Sequence, residues 1–241
     1  KIKWAENHGI KALIFEINSP GGSVVPSKEI ADAVKNTSMH TVAWVRDLAA
    51  SGGYWIASAC DRIVADPMSG IGSIGVISAY LEFSGLVKKY GVGYEGFKSG
   101  EYKDMGIPFR KPTQKEKSVI QDHIDNIHEK FVESVAENRG LDSKKIQKLA
   151  TGRLYLGEEA MSLGLVDQLG GGAEAIGQCE KIGRFKHLFV TEIEDFREEL
   201  FMQLQSFLSF LPSSLGRGLG DALFDRLKTE NTPNNWWNGM F

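Results

Sequence analysis

The sequence has few of the residues that mark several common classes of protein. Only two cysteines occur in 241 residues, Cys60 and Cys179, which is too few for a disulfide framework. The net charge is −3 and the lysines are scattered, so there is no basic stripe of the kind that binds nucleic acid. No apolar run is long enough to span a bilayer. A globular α/β domain remains, and the length suffices for a sizeable core.

Motifs for nucleotides and zinc are also missing. The glycine-rich stretch 68–78 has no G-x-G-x-x-G pattern opening a helix and no P-loop lysine. His123 and His128 are spaced as His-Ile-Asp-Asn-Ile-His, which does not match H-E-x-x-H. Both lie on a polar segment predicted to be helical over 113–139, where surface placement is expected. We therefore expect no cofactor and no metal.

The chain does contain two consecutive strand-loop-helix units, and each loop has a pair of glycines. In the first unit, a predicted strand over 11–17 leads to Gly21-Gly22, and a helical pattern follows over 26–36. Consecutive units of this kind predict a parallel sheet, with functional groups at the carboxyl ends of its strands. Both glycine pairs should then lie at the same edge.

The second unit places a serine where a strand becomes a helix. Residues 42–45 read as a buried strand, 47–50 as a short turn, and 54–60 as an apolar helical run that Ser51-Gly52-Gly53 opens. A serine at a helix N-terminus faces unpaired backbone N–H groups, which suits a nucleophile that needs its oxyanion stabilised. A serine in this position is also a common N-cap. The unit alone leaves both interpretations open.

A nucleophilic serine needs a base, and the usual base is not close in sequence. No histidine occurs between Thr41 and Asp122. Lysine is the other option, provided that its pKa is lowered by desolvation or by nearby positive charge. Lys98 and Lys103 flank the loop Ser99-Gly100-Glu101-Tyr102, but most lysines are solvated surface charges. Composition alone does not choose between them.

Several motifs in order resemble those of signal peptide peptidase A, the protease IV family, from about residue 10 to residue 172. They are Asn18-Ser19-Pro20-Gly21-Gly22, Ala50-Ser51-Gly52-Gly53-Tyr54, Gly72-Ser73-Ile74-Gly75-Val76, Lys98-Ser99-Gly100-Glu101-Tyr102-Lys103-Asp104, Thr151-Gly152-Arg153 and Ala160-Met161-Ser162-Leu163-Gly164-Leu165-Val166-Asp167. Each motif alone is weak, whereas the ordered series is specific.

This resemblance implies a fold, a reaction and a set of site residues. The fold would be the ClpP/crotonase type, built from repeated β-β-α units, and the protein would be a serine protease with a Ser–Lys dyad. Ser51 resembles the nucleophile and Lys103 the general base, while Ser73 resembles the hydroxyl that bonds the lysine amine. The backbone N–H groups of Gly22 and Gly52 resemble the oxyanion hole. Apolar neighbours in 71–77 would desolvate the lysine.

The resemblance also implies a setting for this activity. Family members cleave leftover signal peptides in their apolar cores, are attached to membranes, and assemble as rings whose pockets are built partly by neighbouring subunits. We therefore expect apolar peptide substrates, a homo-oligomer, and a membrane-associated protease domain on the extracytoplasmic side. The family's transmembrane anchor and first strand are expected to lie outside this sequence.

The family motifs do not reach the last part of the chain. We expect a protease domain over 1–183 and a helical, partly irregular extension over 184–241. Residues 196–211 carry a wide apolar stripe at helical spacing, which predicts packing on the core or a neighbouring subunit, or else a membrane-surface helix. Residues 234–241 are turn-like and aromatic, and they are expected to be mobile or to dock on a partner.

Two other functions compete with the protease on the same fold. A crotonase-type enzyme would bind an acyl-coenzyme A and use paired N–H groups for a thioester enolate, but Lys103 has no obvious role in that chemistry. A non-catalytic scaffold would keep the fold and need none of the site residues. Intact Ser51, Ser73 and Lys103 argue against the scaffold, though weakly.

Overall fold

The computed structural model describes residues 1–185 and 188–193. The chain divides into a compact unit, Lys1–Leu188, and a second unit, Phe189–Phe241. Within the described residues the strands are β1 (Ala12–Ser19), β2 (His40–Ala50), β3 (Arg62–Ala65), β4 (Gly70–Gly72), β5 (Leu154–Leu156) and β6 (Gln168–Leu169). The helices there are α1 (Ile2–Asn7), α2 (Val24–Lys35), α3 (Gly52–Ser58), α4 (Ser84–Lys89), α5 (Gln114–Arg139), α6 (Ser143–Leu149), α7 (Gly157–Leu163) and α8 (Gly172–Gly183).

The sheet is built around β2, which pairs in parallel with β1, β3 and β4. β6 adds to β3 in parallel, and β5 adds to β4 in antiparallel orientation. The predicted parallel sheet is therefore confirmed for its central strands. The predicted turn over 47–50 is wrong, because β2 continues to Ala50. Its last residues pair with β4, in the register Leu48 with Gly70 and Ala50 with Gly72.

Both faces of β2 are buried, as expected of a parallel strand covered by helices on each side. Alternate residues serve the two faces. Ala43 and Val45 belong to the main core, which also contains Tyr54, Trp55 and Phe131 from α3 and α5. Val42 belongs to a smaller cluster that includes Ala175 and Cys179 of α8. Cys60 is buried as a small core side chain, and neither cysteine forms a disulfide.

The long helix α5 has clear start and stop signals in the sequence. Thr113 and Glu116 form a reciprocal capping box, in which each side chain accepts a hydrogen bond from the other residue's backbone N–H. Gly140 ends the helix with a φ of 60°, a left-handed conformation that glycine adopts without strain. The prediction of a helix over 113–139 is therefore confirmed, and Phe131 of this helix stacks on Trp55 of α3.

The described residues include no helix that is both long and apolar enough to cross a bilayer. The predicted apolar stripe over 196–211 and the aromatic stretch 234–241 lie outside the described residues.

Candidate active site

Ser51 lies at the junction of β2 and α3 in an unusual backbone conformation. Its φ is 50° and its ψ is −123°, although it carries a Cβ. Its N–H donates to the carbonyl of Gly72 at 2.8 Å, which ties the junction to the end of β4. Positive φ is uncommon for residues with a Cβ, and the strain is tolerated only where the surrounding structure fixes it. Such strained residues are concentrated at functional sites.

The hydroxyl of Ser51 is not used to cap the helix. The residue occupies the N-cap position of α3, as one of the two sequence interpretations expects, but its side chain makes no capping hydrogen bond. The half-buried hydroxyl therefore has no structural partner within α3. The N-cap preference does not explain why serine occurs here.

The glycine loop after β1 packs directly against this junction. A Cβ on Gly21, whose φ is 99°, would lie 2.8 Å from both the backbone nitrogen of Gly52 and the Cβ of Ser51. A Cβ on Gly52 would collide with the side chain of Ser27 and lie 3.4 Å from the Gly22 nitrogen. Only glycine fits at these two contacts. The two predicted glycine pairs therefore do meet at one edge of the sheet.

Two backbone N–H groups at this edge have no acceptor. Among the described residues, neither the Gly22 N–H nor the Gly52 N–H donates a hydrogen bond to another residue. Gly52 begins α3, so its N–H is one of the groups that a helix leaves unpaired. Paired free donors beside a serine hydroxyl are what an oxyanion requires.

A cavity of about 550 Å³ opens beside Ser51, within the range usual for ligand sites. It is lined by both apolar and polar residues. They are Pro20, Gly22, Val24, Ser27, Ser51, Gly52, Trp55, Ser73, Gly75, Val76, Ile77, Gln121, Ile124, Asp125, Ile127, His128, Phe131, Ala150, Thr151 and Gly152. Four of the five predicted site residues, Ser51, Ser73, Gly22 and Gly52, therefore share one cavity.

Ser73 has the second strained serine backbone of the site, with a φ of 47°. Its N–H donates to the Arg153 carbonyl at 2.9 Å, and the Gly152 N–H donates to the Ile74 carbonyl at 3.1 Å. These bonds extend the pairing of β4 with β5 past the strand ends. They hold Ser73 and the segment 150–152 together along the cavity wall.

Lys103 is the predicted site residue that the single chain does not bring to the cavity. Its side chain is exposed, and it is not among the cavity-lining residues. Within the described part of the chain, its amine makes no hydrogen bond or ion pair. The predicted desolvation by residues 71–77 is likewise not provided by this chain, because Ile71 and Ile74 are buried elsewhere and Ile77 is exposed.

Sequence reasoning missed the contribution of α5 to the site. His128, which was expected on the surface, is half-buried and lines the cavity. Its Nε2 lies 3.1 Å from the Ala150 carbonyl, and since a carbonyl only accepts, Nε2 must be the donor. Ile124, Ile127 and Phe131 line the same wall. Their i, i+3, i+7 spacing was the available signal.

The fold and the site together define a class, a serine-type peptidase with the ClpP-like α/β fold. A solved structure of a ClpP1 variant from Listeria monocytogenes superposes with a TM-score of 0.51 at 17% identity, covering 73% of this chain and 82% of that one. At this identity the similarity concerns the fold.

The sequence profile of peptidase family S49 matches residues 33–185, and the chain belongs to this family. A candidate protease of Methanocaldococcus jannaschii is 34% identical over 91% of this chain and 70% of its own length. A candidate signal peptide peptidase of Enterococcus faecium is 37% identical over 80% of this chain, which spans 57% of that relative. The expected family and fold are thereby confirmed.

Proposed function

We propose that the protein is a serine endopeptidase in which Ser51 is the nucleophile and the N–H groups of Gly22 and Gly52 form the oxyanion hole. The observation that carries this proposal is the strained Ser51 backbone. It holds a hydroxyl that makes no capping hydrogen bond. This hydroxyl lies at a cavity, beside two N–H groups that have no acceptor among the described residues. A structural serine needs none of these features. The names of the relatives favour peptide cleavage over acyl-coenzyme A chemistry or a scaffold role.

The general base in this proposal is Lys103 supplied by a neighbouring copy of the chain. In one chain the residue is exposed and outside the cavity. The segment 77–109, which carries it, exposes large apolar side chains, and Phe97 is 96% exposed. Exposed apolar patches of this kind mark protein interfaces. A ring of copies would bury them and bring each Lys103 to the next cavity, beside Ser73.

Peptide hydrolysis then needs two side chains, two backbone N–H groups and water. The neutral Lys103 amine removes the Ser51 proton, and Oγ bonds to the peptide carbonyl carbon. The resulting oxyanion is stabilised by the Gly22 and Gly52 N–H groups. The Lys103 ammonium protonates the leaving amine as the C–N bond breaks. Water, deprotonated by the same amine, then hydrolyses the ester, and the proton returns to Ser51.

The substrates we propose are apolar peptides, signal peptides among them, met at or near a membrane. Val24, Trp55, Ile124 and Phe131 give the cavity apolar walls suited to such side chains. The Enterococcus faecium relative is named for signal peptides. Membrane attachment on the extracytoplasmic side is part of the proposal.

A serine-reactive fluorophosphonate probe with intact-mass readout tests the nucleophile. We expect one adduct on the wild type, none on Ser51→Ala, and loss of peptide cleavage in both Ser51→Ala and Lys103→Ala. His128→Ala is the control for a base within the same chain. It should retain activity within about 10-fold, whereas loss of a general base costs about 10²–10⁴-fold. Near wild-type activity in Lys103→Ala would reject the dyad.

Co-production of Ser51→Ala and Lys103→Ala copies with different tags tests the neighbouring-copy arrangement. A site that takes Ser51 from one copy and Lys103 from the next should be restored in doubly tagged oligomers, to about one quarter of wild-type activity for random mixing in a ring. If both residues act within one chain, no functional site can form and the mixture stays inactive.

A further inference from the structure

Asp104 follows Lys103 in sequence, and each of its two carboxylate oxygens accepts a hydrogen bond from a cationic side chain. Asp104 Oδ1 accepts from Lys98 Nζ at 2.6 Å, and Oδ2 accepts from Arg110 Nε at 2.9 Å. Arg110 Nη2 also lies 2.9 Å from Oδ1. The pKa of Asp104 is held well below its usual range, chiefly by the Arg110 hydrogen bond and then by that from Lys98. Asp104 is therefore ionised and its charge is locally balanced.

Arg110 is in turn fixed to the start of α5. Its Nη1 donates to Glu116 Oε2 at 2.9 Å, and its Nη2 donates to Oε1 at 2.5 Å. Glu116 is buried and also accepts from the Thr113 N–H. The pKa of Glu116 is lowered to about 2, first by Arg110 and then by Thr113. The loop 98–104 is thus anchored to the helix whose later turns line the cavity.

Lys103 stands apart from this network although it is adjacent to it in sequence. Its amine has no hydrogen bond or ion pair with any described residue, whereas Lys98 on the same loop has two partners. The ion pairs on and beside the loop are formed by Lys98, Glu101, Asp104, Arg110, Lys115 and Glu116. The cavity that Lys103 would enter on the neighbouring copy is lined by the titratable side chains of Asp125 and His128. A lysine amine close to an unbalanced carboxylate stays protonated and is no base.

We propose that Lys98 and Arg110 are positioning residues for the reaction, because they occupy both oxygens of Asp104 and so keep this carboxylate from pairing with the Lys103 amine. The inference rests on the proposed role of Lys103 as the base. Lys98 and Asp104, the charged neighbours of Lys103 on the loop, thereby each have a role. Lys98 serves to balance a charge, and Asp104 serves to fix the loop to Arg110.

The pH dependence of kcat/KM in the assembled protein tests the inference. Lys98→Met frees one side of Asp104, which can then pair with Lys103 and raise the pKa of its amine. Since the base must be neutral, the acidic limb should move to higher pH, by about 1 unit for a new opposite charge at close range. Adding Asp104→Asn to Lys98→Met removes the competing charge. The acidic limb of the pH profile should then return towards its wild-type position.

Lys35→Met is the matched control, because it removes an equal charge from an exposed pair with Glu137 at 2.7 Å and leaves every carboxylate of the loop 98–104 paired as before. Competitive labelling of amines with acetic anhydride, read by mass spectrometry across pH, gives the Lys103 pKa without relying on activity. A Lys98→Met limb that moves no further than that of Lys35→Met overturns the inference. So does a double variant that fails to restore it. Retained activity in Lys103→Ala would instead overturn the proposed function.

Discussion

At the scale of single residues, the neighbours Gly21 and Gly22 differ in whether the structure has room for a side chain. Gly21 has a φ of 99° and packs its Cα against Ser51 and Gly52, whereas a Cβ on Gly22 would meet nothing within 4 Å. The sequence marks both as a glycine pair in a loop. Only the three-dimensional contact shows that the first is required for close approach. The role proposed for the second needs only its N–H, which any residue but proline supplies.

We therefore expect Gly21→Ala to cost about 2 kcal/mol of unfolding free energy, through a strained φ and a collision with the Ser51–Gly52 peptide. It should also lower kcat by displacing the nucleophile. Gly22→Ala should stay within about 0.5 kcal/mol of the wild type. Urea denaturation of both variants measures the difference. Equal losses would mean that the predicted contact does not constrain the junction.

Much of the site's residue chemistry could be predicted from sequence, but the backbone strain at Ser51 and the position of Lys103 could not. Ser51, Gly22, Gly52 and Ser73 follow strand ends, and parallel strands bring their carboxyl ends to one edge, so their common cavity follows from the topology. The strained φ of Ser51 carries no local sequence signal, because serine rarely adopts it. The position of Lys103 depends on chain contacts that no local pattern encodes.

At the scale of elements, β2 shows how pairing overrides local preference. The segment 47–50 contains Asp47 and small alanines, which predicted a turn, yet it is the end of a strand. Its carbonyl and N–H groups pair with Ser19 on one side and with β4 on the other. The short, glycine-rich β4 has little strand propensity of its own, so the sequence gives no sign of this second partner.

The elements around α3 are fixed by a half-buried polar lock. Asp167 accepts from the Ile63 N–H at 2.7 Å and from Arg139 at 2.9 Å, and Arg139 also reaches the Gly164 carbonyl. The Tyr54 hydroxyl, whose pKa is raised by burial, donates to the neighbouring Leu165 carbonyl at 2.9 Å. β3, α5 and the turn after α7 thereby meet behind α3, the helix whose N-cap is Ser51.

Removing this lock should destabilise the whole compact unit. We expect Asp167→Ala to lower the unfolding free energy by about 3 kcal/mol, because it leaves the buried Arg139 charge and the Ile63 N–H without their partner. Glu159→Ala is the comparison, since it breaks an exposed ion pair with Arg153 and should cost less than about 1 kcal/mol. Guanidinium titrations followed by tryptophan fluorescence report both. Similar costs would contradict the assignment of Asp167 as a structural lock.

At the scale of the whole molecule, the exposed apolar segment 77–109 is the main feature that has no partner among the described residues of a single chain. It includes Leu81, Tyr90 and Phe97, which are largely exposed. We expect Phe97→Asp to shift the sedimenting species towards the monomer and to reduce cleavage, because the charge would be buried at the interface. Met68→Asp, at an exposed apolar residue outside this segment, should change neither. An unchanged oligomer in Phe97→Asp would remove this segment from the interface.

The exposed position of Lys103, outside the cavity of its own chain, has a consequence for control of the activity. In the proposed arrangement an isolated copy is dormant, because it would hold the nucleophile Ser51 without the base that activates it. Turnover per chain should then fall when the protein is diluted and rise as its concentration increases. A peptidase organised in this way cleaves no peptides while newly synthesised copies are dilute, and it becomes active only where copies accumulate and assemble.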